Sequence, residues 1–249
     1  MTGAGFVRGR VRRVLTLAAA KTDKGEKYGI GTAILYMTPA RVRSDSADFC
    51  PWSSRGCRQG CLVEAGRGRF SAVRAARLAR RRWFLWDAEG FLAQLVRELA
   101  AHVRRCERRG LRPALRLNGT SDIDWQTIAF QGVGLLDWIR EHHPGVQLYE
   151  YTKDPRRAVA AGVVFSRHEN NDAATRRALA RGQTVAVVFA ARRGEPLPAT
   201  WAGRPVVDGD QHDATFLHPA GTVLGLRAKG PAVGDRSGFV VAVDAGGAG

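Results

Sequence analysis

The stretch that decides the fold is residues 32–37, TAILYM, an apolar run of strand length that is followed at residues 50–61 by CPWSSRGCRQGC. Six further short apolar runs come later in the chain. They alternate with longer amphipathic stretches, a pattern typical of a mainly parallel sheet with crossover helices. The sequence therefore predicts an α/β fold, either a partial (β/α) barrel or a mainly parallel sheet, with a cysteine-rich loop directly after the first strand.

This alternation predicts seven strands and five helices. The strands are residues 32–37, 114–117, 146–151, 163–165, 185–189, 206–207 and 223–226. The helices are residues 70–84, 87–109, 125–143, 154–161 and 172–181. In the second helix, apolar residues recur from Phe91 to Val103 at helical spacing, Asp87 is placed to cap the start, and Gly110 is placed to stop the end. We expect one α/β domain over residues 1–249, with frayed ends at about residues 1–8 and 243–249.

The composition excludes several classes of protein. With 45% hydrophobic and 25% charged residues, the chain is not a collagen, a coiled coil, a low-complexity sequence or a disulfide scaffold. No window approaches the roughly 20 apolar residues that cross a bilayer. Arginines interrupt residues 5–17, so we expect no secretion signal and a cytoplasmic protein.

The formal net charge of +16 lies entirely in the N-terminal part of the chain. Residues 1–116 contain 25 Lys and Arg against 9 Asp and Glu, whereas residues 117–249 contain 14 of each. Such a surface could bind a nucleic acid or nucleotide through its phosphates. Arginine outnumbers lysine 34 to 5, which the coding bias of a GC-rich genome would also produce. The candidate phosphate contacts are Arg67, Arg69, Arg74, Arg77 and Arg81, the last three at helical spacing on one face.

Three of the four cysteines lie within twelve residues: Cys50, Cys57 and Cys61, with the spacing C-x6-C-x3-C. Clustered cysteines in a cytoplasmic protein are more often metal-binding or catalytic than disulfide-bonded. Three thiolates leave one coordination position open, which suits a [4Fe–4S] cluster whose fourth iron binds a substrate or cofactor. We predict that these three cysteines are cluster ligands.

Zinc and unliganded thiols are the alternatives at these cysteines. Structural zinc sites have four ligands and usually close pairs such as C-x2-C, which this sequence lacks. A histidine at a distant strand end, His168 or His212, could supply the fourth ligand. Cys106 lies among arginines within a predicted helix, where we expect an inert thiol.

Polar residues follow five of the predicted strands. Ligands of parallel α/β proteins bind at the carboxyl ends of the strands, because the loops that leave there converge on one edge. The polar loops are residues 118–124, 150–154, 166–171, 208–213 and 227–229. We expect these loops to surround the functional site.

A cysteine loop after the first strand is also found in radical S-adenosylmethionine enzymes, which carry it at the top of a partial six-stranded barrel. The present chain resembles them in topology but not in spacing, since their usual motif is C-x3-C-x2-C. The likeness implies S-adenosylmethionine as a second cofactor, bound to the open iron. Its predicted ligands are Asn118, Thr120 and Ser121 for the amino group, and Ser166 and Glu169 for the ribose hydroxyls. The predicted catalytic residues are Tyr151, Lys153 and Asp210.

The aspartates allow a different chemistry. Carboxylate oxygens bind Mg²⁺ or Mn²⁺, so they could form a nuclease or phosphoryl-transfer site. The residues concerned are Asp208, Asp210, Asp213, Asp122 and Asp124. Asp-Gly-Asp is also a good turn sequence. Lys153 and Lys229 are two of only five lysines, and could act as specific amines or as ion-pair partners of the aspartates.

Three motifs occur together in this chain: C-P-x-x-S-x-G-C-x-x-x-C at residues 50–61, R-L-N-G-T-S-D-I at residues 116–123, and D-G-D at residues 208–210. With the segments around them they resemble the phage and prophage family called gene product 88, over nearly the whole chain. The resemblance implies a phage or prophage product in the cytoplasm of a host cell.

Three functions follow from these patterns. The first, which we favour, is an iron–sulfur, radical S-adenosylmethionine-like enzyme acting on a nucleotide or nucleic acid. The second is a zinc-containing, basic DNA-binding or replication-associated protein. The third is a Mg²⁺-dependent nuclease that uses the aspartates.

Overall fold

The structure, a computed structural model, describes residues 11–243 apart from residues 12, 19, 41, 43 and 44. The described residues form two compact units, each with its own sheet and its own apolar core. The first unit contains residues up to 49 and residues 70–148, and the second contains residues 50–69 and those from 149 onward. The predicted frayed ends, residues 1–8 and all but one residue of 243–249, lie outside the described residues. A single domain stays a prediction.

The described residues form twelve strands and six α-helices. The strands are β1 (Leu15–Thr16), β2 (Ile30–Leu35), β3 (Arg112–Arg116), β4 (Ala129–Phe130), β5 (Val133–Gly134), β6 (Gln147–Leu148), β7 (Glu150–Thr152), β8 (Val163–Ser166), β9 (Val185–Phe189), β10 (Thr200–Trp201), β11 (Arg204–Asp208) and β12 (Val223–Arg227). The helices are α1 (Ala20–Glu26), α2 (Arg55–Gln59), α3 (Ser71–Trp86), α4 (Ala88–Arg108), α5 (Leu135–His142) and α6 (Asp172–Ala180). Short 3-10 helices lie at Leu62–Glu64, Gly66–Arg69, Trp125–Thr127, Arg157–Val159, Thr215–Leu217 and Gly230–Gly234.

The first unit is built on a four-stranded sheet in the order β1-β2-β3-β6. β1 pairs with β2 antiparallel, and the other pairs are parallel. All six residues of β2 are buried, as expected of a strand covered on both faces. Gly119, just after β3, is needed because a Cβ there would lie 2.7 Å from the carbonyl oxygen of Leu35. The chain therefore passes against β2 at the point where β3 ends.

The long helices of the first unit cover its core. α4 begins at Asp87, whose carboxylate accepts the Gly90 N–H at 2.9 Å, and its chain direction changes at Gly110, where φ is +64°. Phe91, Leu95 and Leu99 are fully buried, so the predicted apolar face is confirmed. In the described part of the chain, no helix combines the length and apolar character needed to cross a bilayer.

The second unit has a six-stranded sheet in the order β10-β11-β12-β9-β8-β7. All pairs are parallel except β10–β11. α6 crosses from β8 to β9 and buries Leu179 against Val185 and Phe165. Parallel strands with crossovers confirm the predicted α/β fold. No barrel is confirmed among the described strands, and the mainly parallel sheet of the prediction fits the observed pairings.

Two predicted helices are wrong in part. Residues 125–143 contain a 3-10 turn, the hairpin β4–β5 and only then α5. The hairpin forms because Gln131 and Gly132 both have positive φ, +51° and +82°, the conformation of a tight two-residue turn. Residues 154–161 form one 3-10 turn, because the Asp154 carboxylate binds the N–H and guanidinium of Arg156 instead of leaving the backbone to a helix.

The predicted strand at residues 146–151 is two strands in two sheets. β6 belongs to the first unit and β7 to the second. Between them Tyr149 is buried in the second unit, where its ring meets Phe216 edge-on and its hydroxyl donates to Asp213 at 3.0 Å. The chain changes units at this residue.

Candidate functional site

The cysteine segment, residues 50–69, belongs to the second unit. Ser54 caps α2, because its Oγ accepts the Cys57 N–H at 3.1 Å. The Cys50 carbonyl accepts hydrogen bonds from the Ser53 hydroxyl at 2.6 Å and from the Arg58 guanidinium at 3.3 Å. These bonds tie the first cysteine back to the helix that carries the second. Cys50, Cys57 and Cys61 are all half-buried thiols that form no disulfide.

Glu169 anchors this segment to the sheet. It lies three residues beyond β8, and its carboxylate accepts the Ser54 hydroxyl at 2.7 Å and the Gly56 N–H at 2.7 Å. Partial burial opposes ionisation of this carboxyl, but the two hydrogen bonds outweigh burial and hold its pKa below the ordinary value. The cysteine segment therefore lies at the carboxyl edge of the second sheet.

The chain near residue 235 packs against the inner face of α2. A Cβ at Gly56 would lie 2.0 Å from Ser237 Oγ, and a Cβ at Gly60 would lie 3.2 Å from both Ala232 and the Phe239 ring. Positions four apart share a face of a helix. Gly56 and the C-cap residue Gly60 therefore face the covering chain, while Cys57 lies on α2 and Cys61 follows the C-cap in extended conformation.

Arg167 fixes the covering chain in turn. Its buried guanidinium donates to the carbonyl oxygens of Gly238 and Phe239, the latter at 3.1 Å, and pairs with Asp172 at 2.8 Å. Asp235 accepts the Val240 N–H at 3.0 Å and the Ser237 hydroxyl at 2.6 Å. Four hydrogen bonds made by the charged groups of Arg167 and Asp235 thus hold residues 237–240, next to the chain that packs on α2.

Further polar residues lie at the same edge. Lys153, which follows β7, donates to Ser166 Oγ at the end of β8 at 3.3 Å. His168 is buried and its Nδ1 accepts the Asn170 N–H at 3.2 Å, so in the neutral ring Nε2 carries the proton. Burial and then the charge of Lys153 lower the pKa of His168. Tyr151 packs within β7 against the small apolar cluster of the sheet.

Asp208 and Asp210 of the second unit are paired with cations. Asp208 binds Arg227 at 2.9 Å, and Asp210 binds both Lys229 and, at 3.5 Å, Arg227. Burial opposes ionisation of Asp210, but these partners outweigh it and lower its pKa. The interpretation of Lys229 as an ion-pair partner is confirmed.

The other aspartates are also engaged within the fold. Asp213 accepts the Tyr149 hydroxyl, while Asp122 and Asp124 belong to the first unit. Asp124 caps a 3-10 helix, its carboxylate accepting the Gln126 N–H at 3.2 Å. Among the described residues, no group of three His, Cys, Asp or Glu side chains is already arranged to hold a metal ion.

The predicted ligands on the other strand lie in the first unit and organise their own loop. Asn118 is 1% exposed, and its Oδ1 accepts hydrogen bonds from Ser121 Oγ, the Ile123 N–H and Trp125 Nε1 at 2.9–3.1 Å. Thr120 donates to the Met37 carbonyl at 2.6 Å. These bonds explain the R-L-N-G-T-S-D-I motif as a loop-forming sequence. Cofactor binding by these residues stays a prediction.

The two histidines considered as a fourth zinc ligand have different surroundings. The His212 ring is buried and stacks on His218, with 4.3 Å between the ring centroids. His168 lies beside Glu169 at the anchored edge. Zinc binding by either of them stays a prediction.

The arginines of the predicted phosphate face separate into two groups. Arg67, Arg69 and Arg74 are exposed, and Arg77 is half-buried over the Tyr36 ring at 5.4 Å. Arg81 is fully buried and binds Asp45 and the carbonyl oxygens of the chain at residues 38–47. The prediction that Arg81 meets phosphates is therefore wrong, because its guanidinium is enclosed by its own unit.

Sequence reasoning missed two residues that shape the site. Ser54 had a local signal, because a serine three residues before Cys57 fits an N-cap whose side chain bonds that N–H. Arg167 had none, because its partners Gly238 and Phe239 lie 71 and 72 residues away in the sequence. Contacts of that separation depend on topology and not on local pattern.

The fold and the site define an open, mainly parallel α/β protein that carries a cysteine segment at the carboxyl edge of a sheet. The sequence pattern of the family described as Gene product 88 matches residues 12–243. The chain therefore belongs to the phage gene product 88 family, and the resemblance seen in its motifs is confirmed. Comparison with curated proteins and with solved structures gave no match.

Proposed function

We propose that this phage protein is an enzyme whose cysteine segment holds an iron–sulfur cluster through Cys50, Cys57 and Cys61. The observation that carries the proposal is the anchoring of this segment by Glu169 at the carboxyl edge of the second sheet. Ligands and cofactors of parallel α/β proteins bind at that edge. The thiols therefore lie where a cofactor would meet a substrate.

The donor set suits such a cluster. Three thiols come from twelve consecutive residues, all half-buried and none in a disulfide. Three thiolates leave one iron without a protein ligand. The fourth cysteine, Cys106, does not compete as a cluster ligand, because it is buried on α4 in the first unit. Its Sγ lies 3.5 Å from His102 Nε2.

Cluster binding on this segment requires the cysteine side chains to turn toward a common centre, since no three ligands stand ready among the described residues. Metal binding commonly orders its own ligands, because the free energy of binding offsets the entropy lost when the ligands become ordered. Glu169 and the chain at residues 232–239 hold the backbone of α2 during this step. The bound cluster would supply redox chemistry and an open coordination position.

The neighbouring side chains provide donors for a bound molecule. The Lys153 ammonium, the Ser166 hydroxyl and the buried ring of His168 lie at the same edge as Glu169. S-adenosylmethionine as the ligand of the open iron stays a prediction that rests on the likeness in topology. The two carboxylate oxygens of Glu169 accept hydrogen bonds from the cysteine segment, so we propose that Glu169 positions this segment.

The test is purification without oxygen, followed by iron, sulfide and zinc analysis. We expect a brown protein with broad absorbance in the visible blue and about four irons and four sulfides per chain. Replacement of Cys50, Cys57 or Cys61 by alanine should each remove the colour. Cys106→Ala is the matched control and should retain it.

A colourless protein with one zinc per chain would contradict the proposal and favour the zinc-containing alternative. Protein that stays free of metal after reconstitution with iron and sulfide would also contradict it. Far-ultraviolet circular dichroism of each variant separates loss of the cluster from loss of the fold.

A further inference from the structure

The cysteine segment carries a concentrated positive charge of its own. Residues 50–69 contain four arginines and a single acidic residue, Glu64. Arg55, Arg67 and Arg69 are exposed, and among the described residues none of the three has an ion-pair or hydrogen-bond partner. The fourth, Arg58, is tied to the Cys50 carbonyl. Three exposed cations therefore lie on the same segment as the three cysteines.

The arginine-rich helix α3 offers fewer exposed cations to an external partner, since only Arg74 and Arg82 of its five arginines are exposed. Arg81 is enclosed, Arg80 donates to the carbonyl oxygens of Arg13 and Tyr36, and Arg77 lies over an aromatic ring. Most of its guanidinium groups thus serve the first unit itself. The cysteine segment is the better candidate for binding a polyanion, although its sequence is less rich in arginine.

An exposed aromatic ring accompanies these cations. Trp52 is 40% exposed, and the guanidinium of Arg156 lies 5.1 Å from the centroid of its ring. Proteins that bind single-stranded nucleic acids combine arginines along the backbone with aromatic rings on which bases stack. Base-paired DNA hides the faces of its bases, so an exposed tryptophan favours a single strand.

We infer that the cysteine segment binds single-stranded nucleic acid, with Arg55, Arg67 and Arg69 neutralising phosphates and Trp52 stacking on a base. The inference rests on the proposed function, since it names the substrate class of that same site. It places the nucleic acid next to the three cysteines. A charged surface elsewhere on the protein would not bring the nucleic acid to the cysteine segment.

The test is binding of a fluorescently labelled oligothymidylate, measured by anisotropy as a function of salt. The variant Arg55→Gln/Arg67→Gln/Arg69→Gln is compared with Arg176→Gln/Arg181→Gln/Arg193→Gln, which removes the same charge from exposed positions of the same unit. We expect the first triple variant to lower the slope of log affinity against log salt by about two, because each single-strand contact contributes roughly 0.7. The control should leave the slope unchanged.

Trp52 is tested separately. Trp52→Ala should weaken binding by about tenfold, and Trp52→Phe should recover most of the loss because its ring still stacks. Equal losses from both arginine triples would overturn the inference, since binding would then follow net charge alone. Duplex DNA bound as tightly as the single strand, with no effect of Trp52→Ala, would also overturn it.

Metal analysis distinguishes this inference from the proposed function. The arginine triple variant should keep the iron content of the wild type while it loses affinity for the oligonucleotide. A protein that binds the oligonucleotide through these residues but takes up no iron would support the nucleic-acid inference and contradict the proposed iron–sulfur cluster.

Discussion

A single carboxylate, Glu169, determines where the cysteine segment lies. Its two hydrogen-bond partners, Ser54 and Gly56, precede it by 115 and 113 residues. The sequence predicted this glutamate as a ribose ligand at the end of a strand, and that role stays a prediction. No local pattern shows which polar group a carboxylate will meet across such a separation, and here backbone and hydroxyl donors of the same chain occupy it.

Replacement of Glu169 by glutamine should change how stability depends on pH. The folded carboxyl has the lower pKa, so its contribution to stability is present above the unfolded pKa of about 4.3 and is lost as the pH falls through the folded pKa. At pH 7 we expect Glu169→Gln to lower the free energy of unfolding by about 1–3 kcal/mol. Below about pH 4.3 the difference from the wild type should shrink.

Urea unfolding at a series of pH values measures both effects. Glu141→Gln, which alters an exposed glutamate of α5, is the control and should follow the wild type at every pH. A difference between Glu169→Gln and the wild type that stays constant with pH would show that ionisation of Glu169 does not contribute.

At the scale of elements, helix α3 was predicted to present a basic surface, but Arg81 on that face is buried. Arg81 leaves the helix toward the chain at residues 38–47, and its guanidinium also lies 4.2 Å from the centroid of the Phe49 ring. Its hydrogen bonds lower the pKa of Asp45 despite the opposing effect of burial. An arginine that appears to extend a basic stripe is therefore a buried connection between a helix and a loop.

Replacement of Arg81 by methionine should lower the free energy of unfolding by about 3–5 kcal/mol, because Asp45 and several carbonyl groups lose their buried partner. Arg108→Met, at an exposed position near the end of α4, should change it by less than about 0.5 kcal/mol. Thermal and urea unfolding provide the comparison. Equal stability of the two variants would mean that the Arg81 ion pair makes no net contribution.

The elements themselves were largely predictable. Residues 185–189 form the predicted strand with the same ends, and α4 has the predicted cap and apolar face, because burial and capping leave clear local signals. Residues 125–143 were predicted to form one helix because their apolar residues recur at helical spacing, but the chain turns at Gln131 and Gly132. A turn that requires positive φ at glutamine is not a common sequence signal.

At the scale of the whole molecule, the sequence predicted one main sheet, whereas the described residues form two large sheets and the hairpin β4–β5. The sequence predicted the cysteine segment at the carboxyl end of the first predicted strand. That strand, β2, belongs to the first unit, whereas the segment belongs to the second unit and contacts the loop after β8. The division of residues 146–151 between two sheets was not predictable, because apolar and polar residues alternate without a turn residue through both halves.

The charge of the whole chain leads to a prediction about salt. A net charge of +16 destabilises the compact state by self-repulsion, and salt screens that repulsion over a distance of about 10 Å at 0.1 M. Exposed pairs such as Arg109–Glu26 weaken in salt, but each contributes little. The melting temperature should therefore rise with sodium chloride up to about 0.15 M.

Sorbitol at matched osmolality is the control for this measurement and should have a smaller effect on the melting temperature. A melting temperature that falls with sodium chloride would mean that attractive ion pairs outweigh the repulsion.

The packing of Ser237 and Phe239 against Gly56 and Gly60 has a consequence for the order of events during synthesis. The cysteine segment leaves the ribosome early, but it acquires its anchor at residue 169 and its cover at residues 232–239 much later. A chain that ends between residues 170 and 231 has the anchor but lacks the cover on α2. We therefore expect the cysteine segment to reach its final packing only after residues 232–239 have been synthesised.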